Sequence, residues 1–457
     1  MAKTHIQAIL LVIVVLAVVS GCTFGWEGPQ ARQTLPPSVE SSSPSPSPSS
    51  AAAEHAPEST TALASDLGLA IQRLEDQVSL LRGLRPVTEI PIQVLPPDRL
   101  RAKALERCMA QVSGEELMPE TLALLGLLRS DVDLESFYKA VAAEWAAGLT
   151  SHYDEQLQML ALAEPPALDP SSRLAYISAY LSALRAERLE GGESGCCPIA
   201  CTSTGDAGLA ITALFEGDAR LTQEQWVRIY GSQEDAARFE SLNDPVREYS
   251  LSRAPRFLQD TYDFVLSGGR AFVHGLYLSG GWPAVDQAYA DPPSSTEQIL
   301  HPERYPEDDP LPMQAPDLRE ALGPTWEPRQ ASGLGEWWMR QMLQAYLPPD
   351  EAAEASADWG GDVLVVYHNT SLDKDLLILI SRWDNLRQAQ DFALAFRKYG
   401  EARFGERRPT ERGDTWIWEV GYSLLERASD QTLWILAPDQ ATAEAARAGL
   451  VFPMPNR

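Results

Sequence analysis

The chain is short of histidine, of positive charge, of cysteine and of long apolar runs, and each shortage removes a class of function. Only six of its 457 residues are histidine, and none falls between His152 and His274. A zinc hydrolase of the common kind needs two imidazoles one helical turn apart, so that stretch has no such pair to offer. Basic residues number 37 against 64 acidic ones, a net charge of −27. A surface of that sign repels phosphate backbones, so no nucleic-acid partner is expected, and the acidity reads as solubility. The apolar run at residues 9–19 is too short to cross a bilayer by itself.

That run nevertheless has a use. Lys3 precedes it and Val19-Ser20-Gly21-Cys22 ends it, the form of a bacterial lipoprotein signal peptide with its lipobox. Residues 1–21 are then removed. Cys22 becomes the first residue, with diacylglycerol on its sulfur and an acyl chain such as palmitate on its amine. Two or more chains hold a protein at a membrane where one would not. The expected location is extracytoplasmic, with the membrane as partner through the lipid. Residues 22–62 are rich in Ser, Pro and Ala, offer little to bury, and read as a disordered tether. Four cysteines remain: Cys108, Cys196, Cys197 and Cys201. An even set in an oxidising space points to disulfides, with three pairings open. The alternative is a soft metal held by the thiolates of Cys196, Cys197 and Cys201, though their spacing matches no structural zinc pattern.

Periodicity predicts an α+β protein, mostly helical. Leu63, Leu67, Ile71, Leu74, Val78 and Leu81 form one stripe, fitting a helix docked on the core or a short coiled coil. A strand is expected near residues 88–95 and a strand or hairpin arm at 153–163. Helices are expected at 98–112, 119–128, 134–148, 173–188, from 206, and at 257–278 with an interruption at Gly268-Gly269. After residue 345 short alternating segments replace long helical ones, predicting a smaller antiparallel α+β unit over 346–457 beside a helical domain over 63–345. Trp416 and Trp418 share a strand face, which with Trp337 and Trp338 reads as core packing rather than a binding platform.

Several segments stand out as motifs: Phe215-Glu216-Gly217-Asp218-Ala219, Gly269-Arg270-Ala271-Phe272-Val273, Gly280-Gly281-Trp282, the run from Pro292-Pro293 through Ser295-Thr296-Glu297-Gln298-Ile299-Leu300-His301-Pro302, and Trp359-Gly360-Gly361-Asp362. Over residues 85–400 this layout resembles a family of secreted or lipid-anchored proteins of the gluzincin type, zinc metallopeptidases with a His-Glu-x-x-His-Ala-Leu helix followed by a Glu-Gly-Asp-Ala helix. The resemblance implies a zincin-like core. Setting Ala183-Leu184 against the family's Ala-Leu puts Ser178 and Ser182 at the two histidine positions and Ala179 at the catalytic glutamate. Glu216 alone survives, as the third ligand. Neither alanine nor serine replaces these functions, so the metal site is degenerate, no catalytic residue is assigned, and no zinc or other cofactor is expected.

The expected function is therefore that of a non-catalytic, metallopeptidase-like protein that binds a peptide, protein or envelope component in the old cleft. One alternative is an active metal-dependent hydrolase with a displaced site around Glu216, His274, Glu297 and His301. The other is a structural surface protein.

Overall fold

A computed structural model describes residues 65–112, 118–129, 132–189, 205–242, 254–419 and 421–452. Cys22, the tether, Cys196, Cys197 and Cys201 lie outside these residues, so the lipid anchor and the disulfides are not addressed by it. Cys108 is buried.

The apolar stripe of α1 (Ser65–Arg82) meets its partner inside the chain. Ile71, Leu74 and Val78 pack with Tyr153, Leu160, Leu162, Tyr176, Tyr180 and Leu184 in one core, so this face docks and needs no coiled-coil partner. A small sheet follows from β1 (Ile92–Leu95), β2 (Ser151–Asp154) and β3 (Met159–Ala163), in spatial order β1-β3-β2. β1 runs parallel to β3 and β2 antiparallel to it, which leaves β2 on an edge. Between β1 and β2 the chain forms α2 (Pro97–Val112), α3 (Pro119–Leu124) and α4 (Leu134–Gly148). Residues 153–163, expected as a strand or hairpin arm, belong to a hairpin of β2 and β3 that turns where Gln158 takes a φ of 51°.

Next come α5 (Pro170–Arg188), α6 (Asp206–Tyr230) and α7 (Gln233–Ser241). The long helix predicted over 257–278 is α8 (Arg256–Asp263), a π turn (Phe264–Gly268) and α9 (Gly269–Gly280) in sequence. The paired glycines do not break it. Gly269, with Gly217 on α6, lets it cross α6 backbone to backbone: a Cβ on Gly269 would stand 2.0 Å from the Ala213 carbonyl oxygen, and one on Gly217 would stand 2.2 Å from that of Gly269. Then follow α10 (Trp282–Ala290), α11 (Thr296–Leu300) and α12 (Arg319–Leu322).

The C-terminal part is a seven-stranded antiparallel sheet in the order β4-β5-β6-β10-β9-β8-β7. Its strands are β4 (Trp326–Ser332), β5 (Trp359–Asn369), β6 (Lys374–Trp383), β7 (Arg407–Pro409), β8 (Gly413–Trp418), β9 (Gly421–Ala428) and β10 (Gln431–Ala437). Helices α13 (Gly335–Gln344), α14 (Pro349–Ser356), α15 (Leu386–Phe404) and α16 (Gln440–Gly449) interleave with them. Successive residues point to opposite faces. Leu364, Val366, Leu377, Leu379 and Trp434 enter the main core, while Val363, Val365, Leu376, Ile378 and Ile435 enter a second core under α16. Burial on both faces explains the unbroken apolar runs in these strands. The expected boundary between residues 345 and 346 is no gap in packing, because Leu209, Phe272 and Met339 share one core with Leu364, Phe396 and Trp434. The described residues all belong to one compact unit, 59–457. Trp337, Trp338 and Trp416 are buried in its main core, as their pattern predicted.

Candidate functional site

Helix α5 starts sharply: Asp169 caps it by accepting from the Ser172 amide, and Pro170 holds the first turn. Ser171, Leu174, Ala175, Ser178, Ala179, Ser182 and Arg185 recur at three- and four-residue steps, so they share one face of it. That face lines a cavity of about 300 Å³. Helix α6 contributes Glu216, Ala219, Arg220 and Gln223 to the same cavity, and β2 with its approach contributes Thr150 to Tyr153. Tyr262, Val265 and Leu266, from α8 and the π turn, line it too, with Glu144 of α4 and Arg238 of α7.

The four positions singled out by sequence, Ser178, Ala179, Ser182 and Glu216, thus converge on one space. Their chemistry is that of a hydrogen-bonded wall. The Gln223 amide nitrogen donates to Ser178 Oγ at 2.8 Å and to the Leu174 carbonyl at 2.9 Å. Ser182 Oγ donates to the Ser178 carbonyl at 3.0 Å and accepts from Arg185 Nη2 at 3.2 Å. Burial raises the Glu216 pKa, with Arg185 and Arg220 pulling the other way. Burial, reinforced by Arg107, pushes His152 down to about 4, so its ring is neutral at ordinary pH. By themselves the four positions are no zinc ligand set: two hydroxyls already bonded, one methyl group and a single carboxylate offer neither imidazole nor thiolate.

Three consecutive residues on α6 have three destinations. Glu216 faces the cavity, Gly217 meets α9, and Asp218 enters a buried ionic network. Arg82 Nε and Nη2 donate to the two oxygens of Asp218 at 2.9 and 3.2 Å, Tyr289 OH donates at 2.8 Å, and Arg185 stands 3.9 Å away. Although burial works against ionisation, Arg82 and Arg185 hold the Asp218 pKa below its ordinary value. Arg82 also pairs with Asp286 at 2.6 Å and lies 4.3 Å over the Trp282 ring. Gly281, at a φ of 67°, makes the sharp turn that starts α10 at Trp282.

The other motif residues sit elsewhere. Glu297 and His301 do not line the cavity. Glu297 stands 3.0 Å from Arg304, which also reaches Asp308 at 2.8 Å, Asp384 at 2.5 Å and Asp358. His301 Nε2 shares a hydrogen bond with Glu336 Oε1 at 3.1 Å. Thr296 donates to Asp206 and accepts from the Trp337 amide, and Asp362 accepts from Leu334, Gly335 and Trp359. These segments lash α6, α11 and α13 to the sheet. Burial and the neighbouring Glu336 push the Glu297 pKa up to about 9, against Arg304. Burial likewise raises Asp206 to about 7 and Asp362 to about 6. Among the described residues, one group of carboxylates is close enough to share a metal ion: Glu297, Asp308 and Asp384, with ligand atoms within 4.8 Å of one another. Arg304 already stands against all three and supplies the positive charge there. His274, half-buried on α9, belongs neither to that group nor to the cavity wall.

Sequence reasoning missed Arg185, Arg220 and Gln223. Their signal was present, since Arg185 follows Ser182 by three residues, while Arg220 and Gln223 follow Glu216 by four and seven. Thr150, Ser151 and His152 gave no such signal, because the fold brings them in from another element.

By its elements the chain is an α+β protein. A family model described as a domain of unknown function (DUF8575) matches residues 325–447, the sheet and its helices, where no cavity residue falls. No curated protein and no solved structure matches the chain.

Proposed function

We propose that this is a membrane-tethered extracytoplasmic binding protein, anchored through lipid on Cys22, whose cavity receives an extended peptide and does not cleave it. The observation that carries this reading is the convergence of Ser178, Ala179, Ser182 and Glu216 on one cavity, wired to Gln223 and Arg185 where a zincin would have ligands and a base. An Ala179 methyl takes no proton from water, and the remaining carboxyl faces two arginines.

The edge of β2 supports a peptide as the ligand. The Ala163 amide donates to the Thr150 carbonyl at 2.9 Å, so Thr150 turns its backbone toward β3. Alternation in an antiparallel pair then turns the backbone groups of Ser151 and Tyr153 away from β3. Both residues line the cavity. An unpaired strand edge is a template for an added strand, with backbone bonds giving affinity and pockets giving selectivity.

The test is to restore the site. The triple variant Ser178→His, Ala179→Glu, Ser182→His should gain zinc by equilibrium dialysis, since Glu216 already faces the same space. An unchanged zinc affinity in a folded variant would remove the reading of this cavity as a former metal site.

A further inference from the structure

The cavity holds more hydrogen-bond donors than its own acceptors use. Among the described residues three arginines line it, Arg185, Arg220 and Arg238, against two carboxylates, Glu144 and Glu216, in a chain whose net charge is −27. Arg185 is committed to the Phe215 carbonyl, Tyr289, Ser182 and the charge of Asp218. Arg220 is not. Its Nη2 donates to the Leu242 carbonyl at 2.7 Å, while its Nη1 has no hydrogen-bond partner, and no carboxylate among the described residues forms an ion pair with it. The hydroxyls of Thr150 and Ser151 line the same cavity and are also buried without a partner. A buried donor left unmade carries a desolvation cost, larger when it is charged, and a native structure rarely gathers several of them without a use.

Glu216 lies one turn before Arg220 on the cavity face of α6. It makes no hydrogen bond to any described residue.

We infer that this cavity is a carboxylate receptor, in which the Arg220 guanidinium pairs with the ligand's carboxylate and the Thr150 and Ser151 hydroxyls supply further donors. Arginine suits the task because its planar fork matches two carboxylate oxygens at once. A space of about 300 Å³ lies at the small end of ligand pockets. It suits either the C-terminal residues of a peptide or a free small organic acid, and both present the same group. The inference rests on the reading that the cavity binds without cleaving, and it adds what the cavity selects.

The test is calorimetric titration of the full chain in detergent with three probes: N-acetyl-tetraalanine as the free acid, the same peptide as its C-terminal amide, and succinate. The free acid should bind and the amide should bind at least about tenfold more weakly, the scale of one charge-assisted hydrogen bond. Arg220→Gln should lose a similar factor for the free acid and leave the amide unchanged, while Arg220→Lys keeps part of the affinity. Glu216→Gln should strengthen binding of the free acid, because it removes the carboxylate competing for Arg220. Equal binding of acid and amide, with Arg220→Gln neutral, would overturn the carboxylate receptor and leave peptide binding standing. Binding of succinate without either peptide would keep the receptor and remove the peptide. Binding of none of the three would remove both. Melting curves matching wild type confirm that each variant is folded.

Discussion

The cavity between α5 and α6 and the junction around Arg304 are both built from motif segments with buried polar side chains, and they differ in what those side chains touch. At the junction Thr296 and His301 hold partners on α6 and α13, Glu297 and Gln298 hold Arg304 and Asp308 of the turn that follows, and Arg304 reaches Asp358 and Asp384 beside the sheet. In the cavity Arg220, Thr150 and Ser151 keep donors without partners, and Glu216 faces open space. A motif segment therefore has two meanings in one chain. The Ser-Thr-Glu-Gln-Ile-Leu-His-Pro run is architecture, while the segment around Glu216 carries architecture on two of its residues and a cavity-facing group on the third.

Breaking the junction should cost most. Arg304→Leu leaves Glu297, Asp308 and Asp384 facing one another without their cation, and the loss should be about 3 kcal/mol or more in urea unfolding. The junction also sets a pH slope. Glu297 carries a pKa of about 9 in the folded chain, against about 4.3 when unfolded. Between those values the unfolded state gives up a proton that the native state keeps, so stability falls as pH rises. Thermal melting from pH 5 to pH 9 should therefore show a steeper fall for wild type than for Glu297→Gln. An identical slope in the two proteins would mean that Glu297 is ionised in the native junction.

A middle-sized effect is expected where the two regions share a helix. Gly217→Ala places a methyl group 2.2 Å from the Gly269 carbonyl oxygen, and separating α6 from α9 should cost about 1–3 kcal/mol. The smallest belongs to the cavity. Ser178→Ala removes one acceptor of the Gln223 amide, which keeps the Leu174 carbonyl at 2.9 Å, so the loss should stay below about 1 kcal/mol. A large loss at Ser178 would make the cavity wall structural and erase the contrast with the junction.

Much of the fold was legible because burial writes a period into the chain. The α1 stripe and strands β5, β6, β9 and β10 were readable from their apolar spacing. The edge strands β4 and β7 were not, since most of their residues are exposed or half-buried and carry no such pattern. The interruption at Gly268-Gly269 looked like a helix break, because glycine signals a turn as readily as a close helix crossing; only the position of α6 separates the two. The same limit applies to the site. Ser178, Ala179, Ser182 and Glu216 were singled out through the motifs they resemble, laid along two helices. Glu297 and His301 were grouped with them by residue type, and the fold instead pairs Glu297 with Arg304, seven residues on, and His301 with Glu336, thirty-five residues on. The donors of β2 were invisible, because no local pattern reports which strand edge a helix faces.

The most direct measurement is the zinc content of the purified full chain, read together with casein cleavage in the presence and absence of chelator. A cavity whose ligand positions hold Ser178 and Ser182 should carry no stoichiometric zinc, and cleavage should stay at the background of a buffer blank. One zinc per chain, with cleavage abolished by chelator, would contradict it.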